Sequence, residues 1–407
     1  MQNELRTISI FSESNMNILI LISHPIQYLV PFFRELSRTK GINLKVLYTW
    51  NFGVESTFDK QFGREVKWDI PLLEGYRYAF LKNRSPKPSS DFWGQINFGI
   101  VCELKKEKPD ALLVFGWNGF TNWLAFFTAF TAGIKVFLRG ESPLNQELMK
   151  PAWKRFLKGF ILRPLFSEIT KFFYIGSENK KFYEHYGVPE EKLVFVPYAV
   201  NNERFMSTSK LLKANRKELR EKLLRINDNS PVILFVGKLI KKKRPMDLLK
   251  AFEILNTKYD IHNTALVFVG DGELRPTLEK YTKEHKLNGV HFTGFKNQTE
   301  LPQHYTVADL FVLPSGPGET WGLVVNEAMC FGLPVVVSDV VGCAPDLVHN
   351  GENGYIFPAG NVEKLSEVLK KILEQDKEKL GAESFKIVGR YSFQKGAEEI
   401  LDIMERR

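Results

Sequence analysis

Two glutamates, Glu319 and Glu327, flank the point where a Gly/Pro loop runs into a helix, in the segment PSGPGETWGLVVNEAMCFGLP of residues 314–334. The helix is expected to start near Gly322 and to stop at Gly332 and Pro334. A helix N-terminus carries unpaired N–H groups and partial positive charge, which suits this loop to a phosphate or diphosphate. Carboxylates accept paired hydrogen bonds from vicinal hydroxyls. A glutamate pair beside such a terminus therefore has the chemistry to hold a sugar next to a phosphate. Acidic residues facing water along a helix give the same pattern, and the residue types alone leave both readings open.

A second constellation follows an apolar run, where Phe235-Val236-Gly237-Lys238 leads into Lys241, Lys242, Lys243 and Arg244. Lysines placed there can neutralise a departing diphosphate without a metal; the alternative is a solvated basic loop ahead of a helix at Pro245. Gly270-Asp271-Gly272 reads as a strand-to-helix turn. No G-x-G-x-x-G after a strand and no G-x-x-x-x-G-K-[ST] is present, which argues against nicotinamide-binding and P-loop proteins. There is no D-x-D triplet and no His/Asp cluster at metal spacing, so neither a catalytic metal nor a cofactor is expected.

These residues need strands and helices to position them, and the apolar pattern supplies two sets. Continuous apolar runs at 17–23, 44–48, 111–115, 134–138 and 172–175 alternate with helical patterns, the first over about 28–39. The pattern restarts at 232–236, 265–269, 290–293, 310–313 and 334–338, with helices beginning near Pro245, Glu273, Thr299 and Gly322. The expected fold is α/β: two Rossmann-like, doubly wound domains facing each other across a cleft, where open α/β sheets bind ligands. The divisions are an N-terminal extension (1–16), a first domain (17–205), a second domain (206–390), and a last amphipathic helix (391–407) able to cross back to the first.

Composition agrees with this architecture. A chain of 407 residues, 44% hydrophobic and 25% charged, fits two globular domains. The net charge of +9 points to an anionic partner. Three cysteines without paired spacing suit a reducing cytoplasm, and the polar start is unlike a signal peptide. The stretch 120–138, broken at Gly133 and Lys135, reads as a buried helix and a strand, not a membrane span. No recognised nucleic-acid module is seen, and no nucleic acid is expected as a partner.

From residue 232 to about 357 the motifs FVGKLIKKKRPMDLL, VFVGDGELRPTLE, HFTGF, ADLFVLPS, ETWGLVVNEAMCFGLPVVVSD and NGYIF follow one another in an order that resembles the family-4 glycosyltransferases, retaining enzymes of the two-Rossmann GT-B fold. A weaker similarity covers 174–205. The resemblance implies that Glu319 faces the donor sugar and Glu327 the nucleotide ribose, with backbone N–H groups near Trp321, Gly322 and Leu323 approaching the diphosphate. Lys243 matches the family's phosphate-binding lysine, and Lys238 stands where the family has arginine. Gly294, Phe295 and Lys296 look like the loop beside the nucleobase, and Gly237 permits close approach of phosphates. The implied reaction is metal-independent, retaining transfer of a sugar from a UDP- or GDP-sugar to a glycan, lipid-linked or small-molecule acceptor hydroxyl, with the nucleotide-sugar a substrate. The alternatives are a GT-B sugar phosphorylase, a nucleotide-sugar epimerase, or a non-catalytic sugar-nucleotide-binding subunit.

The first domain departs from the family pattern, carrying Ser23-His24-Pro25-Ile26-Gln27-Tyr28 in place of a glycine-rich loop. His24 is either a phosphate or acceptor contact or a structural turn residue. Arg139 and Glu141, at the end of a strand facing the cleft, are either ligand contacts or a surface salt bridge. Residues 150–161 place Trp153, Phe156, Leu157, Phe160 and Ile161 at helical spacing with Lys150, Lys154, Arg155 and Lys158 on other faces. That helix either lies on an anionic bilayer, at the cytoplasmic face of a membrane with a lipid-linked or glycan acceptor, or docks on its own sheet.

Overall fold

The computed structural model describes residues 15–59, 63–226 and 230–405, apart from the side chains of 57, 58 and 66. Most of the expected N-terminal extension lies outside them, and Met16 already belongs to the first strand. In chain order the first half contains β1 (Met16–Ile22), β2 (Ile42–Tyr48), β3 (Thr57–Asp59), β4 (Arg64–Val66), β5 (Arg77–Phe80), β6 (Ala111–Phe115), β7 (Lys135–Arg139), β8 (Lys171–Tyr174) and β9 (Leu193–Phe195). Seven of these form one parallel sheet in the order β5-β2-β1-β6-β7-β8-β9, while β3 and β4 pair antiparallel as a separate hairpin.

The second half contains β10 (Val232–Val236), β11 (Ala265–Val269), β12 (Val290–Gly294), β13 (Leu310–Leu313), β14 (Val335–Ser338) and β15 (Gly354–Phe357). They form a parallel sheet in the order β12-β11-β10-β13-β14-β15. Helices cover both faces of each sheet, so β10 is apolar throughout and β1 is apolar and buried from Ile18 on. In both sheets the chain turns back at a central strand, and ligands of such folds bind beyond the carboxyl ends of the strands at that point.

Two expectations shift. The edge strands β5, β9 and β15 are absent from the sequence reading because each is three or four residues long, and β5 is largely exposed. The boundary expected at 205 falls inside a helix, Asn202–Lys213, which packs with Arg216–Leu224 on the second-domain helix Leu301–Val307. The change of domain therefore lies at 196–201. The last helix, Phe393–Glu405, packs on the first domain, where Phe393 meets Phe32 of the helix Val30–Arg38 with ring centroids 6.1 Å apart.

Polar contacts also join the two halves. Ser177 donates to Asp346 through its main-chain N–H (3.0 Å) and hydroxyl (2.9 Å), while within the second domain Asn202 donates to the carbonyls of Val388 and Tyr391. Trp321 is 2% exposed and lodges between the domains against Tyr198 and Tyr391, its indole N–H bonded to Asn326. A Cβ on Gly176 would lie 2.3 Å from this indole, so glycine is required there by contact.

Candidate functional site

The centre of the cleft is built on the loop after β13. Glu319, 8% exposed, accepts from Lys243 Nζ at 2.5 Å and from Ser315 Oγ at 3.1 Å, both on Oε2. Lys243 comes from the turn Lys241–Lys243 beyond β10, and the main chain clamps this turn to the Glu319 loop. Gly316 N–H donates to the Lys242 carbonyl at 2.7 Å, and Lys242 Nζ donates to the Gly318 carbonyl at 3.1 Å. Burial opposes ionisation of Glu319, but Lys243, Lys242 and the hydrogen bonds from Lys243 and Ser315 together outweigh it, holding the carboxyl below its usual range. Burial also lowers the Lys242 pKa; Glu319 opposes that fall, while Lys243 and Lys238 add to it. The Lys242 ammonium is thus close enough to those of Lys243 and Lys238 to feel their charge.

Glu327 has the opposite electrostatics. It lies in the second turn of the helix Leu323–Cys330, is 1% exposed, and accepts from the Tyr305 hydroxyl at 2.7 Å on Oε2. Its Oε1 is buried with no hydrogen-bond partner among the described residues. Burial pushes this carboxyl up to about 7, offset in part by Tyr305, the Gln298 amide and the Arg204 charge. Beside it opens a cavity of about 230 Å³ whose lining includes Gln27, Tyr28, Arg204 and Gln298. An orphaned buried acceptor at a cavity wall has the chemistry to take a hydroxyl donor from a ligand.

Gly322 makes the entry to this helix possible. It sits at φ 96°, and a Cβ there would lie 2.8 Å from Leu313 Cδ2. The side chains of Trp321 and Leu323 point into the protein, so only their main chain is available near the helix N-terminus, the part the sequence reading used. Gly237, at φ 152°, packs so tightly on the Gly270 turn that a Cβ on Gly270 would sit 1.9 Å from the Gly237 carbonyl. The glycine turn at 270–272 thus fixes the loop carrying Lys238.

The first domain contributes residues that the sequence reading left out. Tyr28 lies beside both glutamates: burial raises its pKa, and the negative charges of Glu327 and Glu319 add to the rise. Gln27 is buried, its Oε1 without a hydrogen-bond partner among the described residues. Gln146 reaches across to the Glu319 loop, donating to the Glu319 carbonyl at 2.8 Å and accepting from Gly318 N–H at 3.1 Å. Only the SHPIQY loop carried a sequence signal, as a departure from the family pattern; Gln146, Ser315 and Tyr305 had none. His24 bonds Ser23 Oγ at 2.9 Å and packs edge-on against Trp50 and Phe52, and burial lowers it to about 4, so it is neutral near pH 7.

Arg139 and Glu141 do not form a surface salt bridge. Arg139 is 2% exposed, donates to the Val196 carbonyl at 3.3 Å, and lies over the rings of Phe32, Phe115 and Tyr198. Its guanidinium is enclosed in the first-domain core. Glu141 is half-buried; burial raises its pKa, opposed by the Arg139 charge and by the Tyr198 hydroxyl bonded to it.

The hairpin side of the cleft holds the remaining candidates. Lys238 Nζ pairs with Asp59 Oδ2 at 2.9 Å across the domains. Phe295 contacts Trp68 and lies under the Arg64 guanidinium, Asn297 donates to the Lys67 carbonyl at 2.7 Å, and Lys296 pairs with Glu300 at 3.2 Å. An anion at Lys238 must compete with Asp59. Asp59→Asn is expected to tighten binding of a diphosphate ligand by up to about fivefold, the scale of a partly exposed ion pair. Calorimetry of nucleoside diphosphates against both proteins checks this, and equal affinities would mean that Lys238 does not meet the ligand.

Residues 215–386 match the family model described as glycosyl transferases group 1. These residues form a glycosyl transferases group 1 domain. Every second-domain candidate, from Gly237 to Glu327, lies inside this group 1 domain, while Tyr28, Gln146 and Asp59 lie outside it. A sulfoquinovosyl transferase of Arabidopsis thaliana is 34% identical over 163 residues, covering 39% of this chain and 29% of that one. The UDP-Gal:α-D-GlcNAc-diphosphoundecaprenol α-1,3-galactosyltransferase of Escherichia coli is 28% identical over 219 residues, 52% of this chain and 54% of that one. The chain thus spans about half, or less, of the length of these curated relatives. The Anabaena protein Alr3699/HepE, solved in complex with UDP, superposes with a TM-score of 0.73 over 96% of this chain and 100% of that one at 17% identity. That likeness extends the shared fold to both domains. Among the described residues no helix is long and apolar enough to cross a membrane.

Proposed function

We propose that the protein is a retaining glycosyltransferase that moves a sugar from a nucleotide-sugar, a UDP- or GDP-sugar, to an acceptor hydroxyl without a metal ion. The observation that carries this reading is the pairing of unlike glutamates around one helix N-terminus: Glu319, ionised and knotted to Lys243, and Glu327, buried with a free acceptor oxygen. Glu319 faces the donor sugar, Glu327 the ribose, and Lys243, Lys238 and the main chain at Gly322 the diphosphate. The group 1 match, the sugar-transferring relatives and the UDP complex of the Anabaena fold neighbour support the reading.

In the transfer, the bond from the anomeric carbon to the leaving phosphate oxygen breaks as charge builds on the diphosphate, which the lysines and the helix N-terminus stabilise. The acceptor oxygen bonds to the anomeric carbon on the same face, and its proton passes to the leaving phosphate oxygen. Closure between the domains, with Tyr28 and Gln146 already at the site, excludes water. The acceptor in this reading is a glycan or lipid-linked sugar, met at the cytoplasmic face of an anionic membrane. The galactosyltransferase relative, whose acceptor is a diphosphoundecaprenol-linked sugar, supports that part.

Calorimetric titration with UDP, GDP, ADP and their sugar conjugates, with and without EDTA, tests the donor site. One nucleotide is expected to bind equally well in EDTA and to weaken with Glu327→Ala. Binding that requires added metal refutes the metal-independent mechanism, and failure of every nucleotide refutes the donor site.

A further inference from the structure

The helix Ala152–Glu168 is apolar on two sides. Gly159, Leu162, Leu165 and Phe166 enter the first-domain core, while Trp153, Phe156, Leu157, Phe160 and Ile161 are 61%, 75%, 53%, 77% and 54% exposed. A helix that is apolar all round is normally covered on all sides, and an exposed patch of this kind marks an interaction surface. The charges around it are not those the sequence suggested. Lys150 and Lys158 both point to the buried Glu147, at 2.8 and 2.9 Å, and are neutralised there. Lys154, Arg155 and Arg163 have no carboxylate partner among the described residues.

A groove of about 480 Å³ runs beside the exposed rings, lined by Arg155, Phe156, Phe160, Arg163, His185 and Tyr186 among others. Arg155 Nε is buried there with no hydrogen-bond partner among the described residues. Both guanidiniums are near enough to the Tyr186 hydroxyl for their charges to pull its pKa down, although burial and the hydrogen bond to Glu147 raise it overall. Two unpaired guanidiniums converging on one groove match a phosphate group, which they bind by paired N–H donors.

We propose that this groove binds the phosphate headgroup of an anionic lipid while the outer face of the helix lies in the bilayer interface. Charge complementarity selects this occupant. The face carries aromatic and aliphatic side chains flanked by Lys154, Arg155 and Arg163, with Lys154 over the Trp153 ring at 5.4 Å, the arrangement of an interfacial helix with its ammonium reaching the headgroups. The inference deepens the membrane contact in the reading above and does not depend on the transfer chemistry.

The test uses the full chain and sedimentation with vesicles of phosphatidylcholine alone or mixed with phosphatidylglycerol. Binding is expected to be at least about tenfold tighter to the mixed vesicles, on the scale of two basic residues at an anionic surface. Arg155→Gln with Arg163→Gln is expected to remove that preference, and Phe156→Ser with Phe160→Ser to weaken binding to both. Lys105→Gln with Lys106→Gln, on the helix Gly99–Glu107, serves as the charge control and should leave the preference intact. An equal loss in that control reduces the effect to net charge and overturns the groove. So does an unchanged preference in the arginine variant, displacement by inorganic phosphate at low millimolar concentration, or a dimer that the phenylalanine variant dissolves while vesicles go unbound. Nucleotide calorimetry on the same variants should be unchanged, which keeps failure of this proposal apart from failure of the donor site.

Discussion

Lys243→Met is expected to lower kcat/KM for sugar transfer by about 10²–10³, chiefly through kcat, the cost of deleting one preorganised donor aimed at developing charge. Two effects combine. The ammonium that meets the leaving diphosphate is gone, and Glu319 keeps only Lys242 and Ser315 against the burial that opposes its ionisation. Its pKa therefore rises toward the working range, and activity should fall off at higher pH on the acid side than in the wild type. Glu319→Gln should show no such displaced limb, because no carboxyl titrates at that position. Steady-state rates of nucleotide release across pH, with the donor chosen by calorimetry, separate the two variants. A Lys243→Met enzyme with wild-type kcat would take this lysine out of the reaction and leave the Glu319 pair as a structural tie.

The difference in electrostatics between the two glutamates was not legible in the sequence, although their positions were. The Gly/Pro loop, the helix start and the glycine stop are local signals, and the helix Leu323–Cys330 lies where they place it. Strands β6, β10, β11 and β13 likewise match their apolar runs residue for residue. What escapes is whatever depends on the opposite domain. Gln146 gives no sign in sequence that it will grip the Glu319 loop, because a glutamine 173 residues away carries no periodicity. Arg139 looks like a cleft residue from its place at a strand end, yet three aromatic rings distant in sequence enclose it. Lys150 and Lys158 look like a basic face until Glu147 turns inward and takes both. Long-range pairing decides charge and burial, and a one-dimensional pattern records only the local half of it.

The same dependence makes Glu327→Gln informative about function and stability together. In the free protein this carboxyl titrates at about 7, while a ribose diol donates to the carboxylate, so donor binding should favour ionisation. Below pH 7 binding should release up to one proton per donor and weaken as pH falls; above pH 7 it should level off. Calorimetry in buffers of different ionisation enthalpy reads the proton directly. Glu327→Gln should abolish the release and bind donor about 10- to 100-fold more weakly above pH 7, the worth of a hydrogen bond to a charged group. Stability should move the other way. A folded pKa above the unfolded value near 4.5 means that wild-type stability falls as pH rises from about 4.5 to 7 and stays low beyond. Glutamine has no such titration, so the variant should match the wild type at pH 4 and exceed it at pH 8 by on the order of 3 kcal/mol. Urea unfolding at the two pH values measures that difference. A variant no more stable at pH 8 would mean that Glu327 ionises without cost, with water at Oε1, and the orphaned oxygen would then no longer point to a ligand hydroxyl.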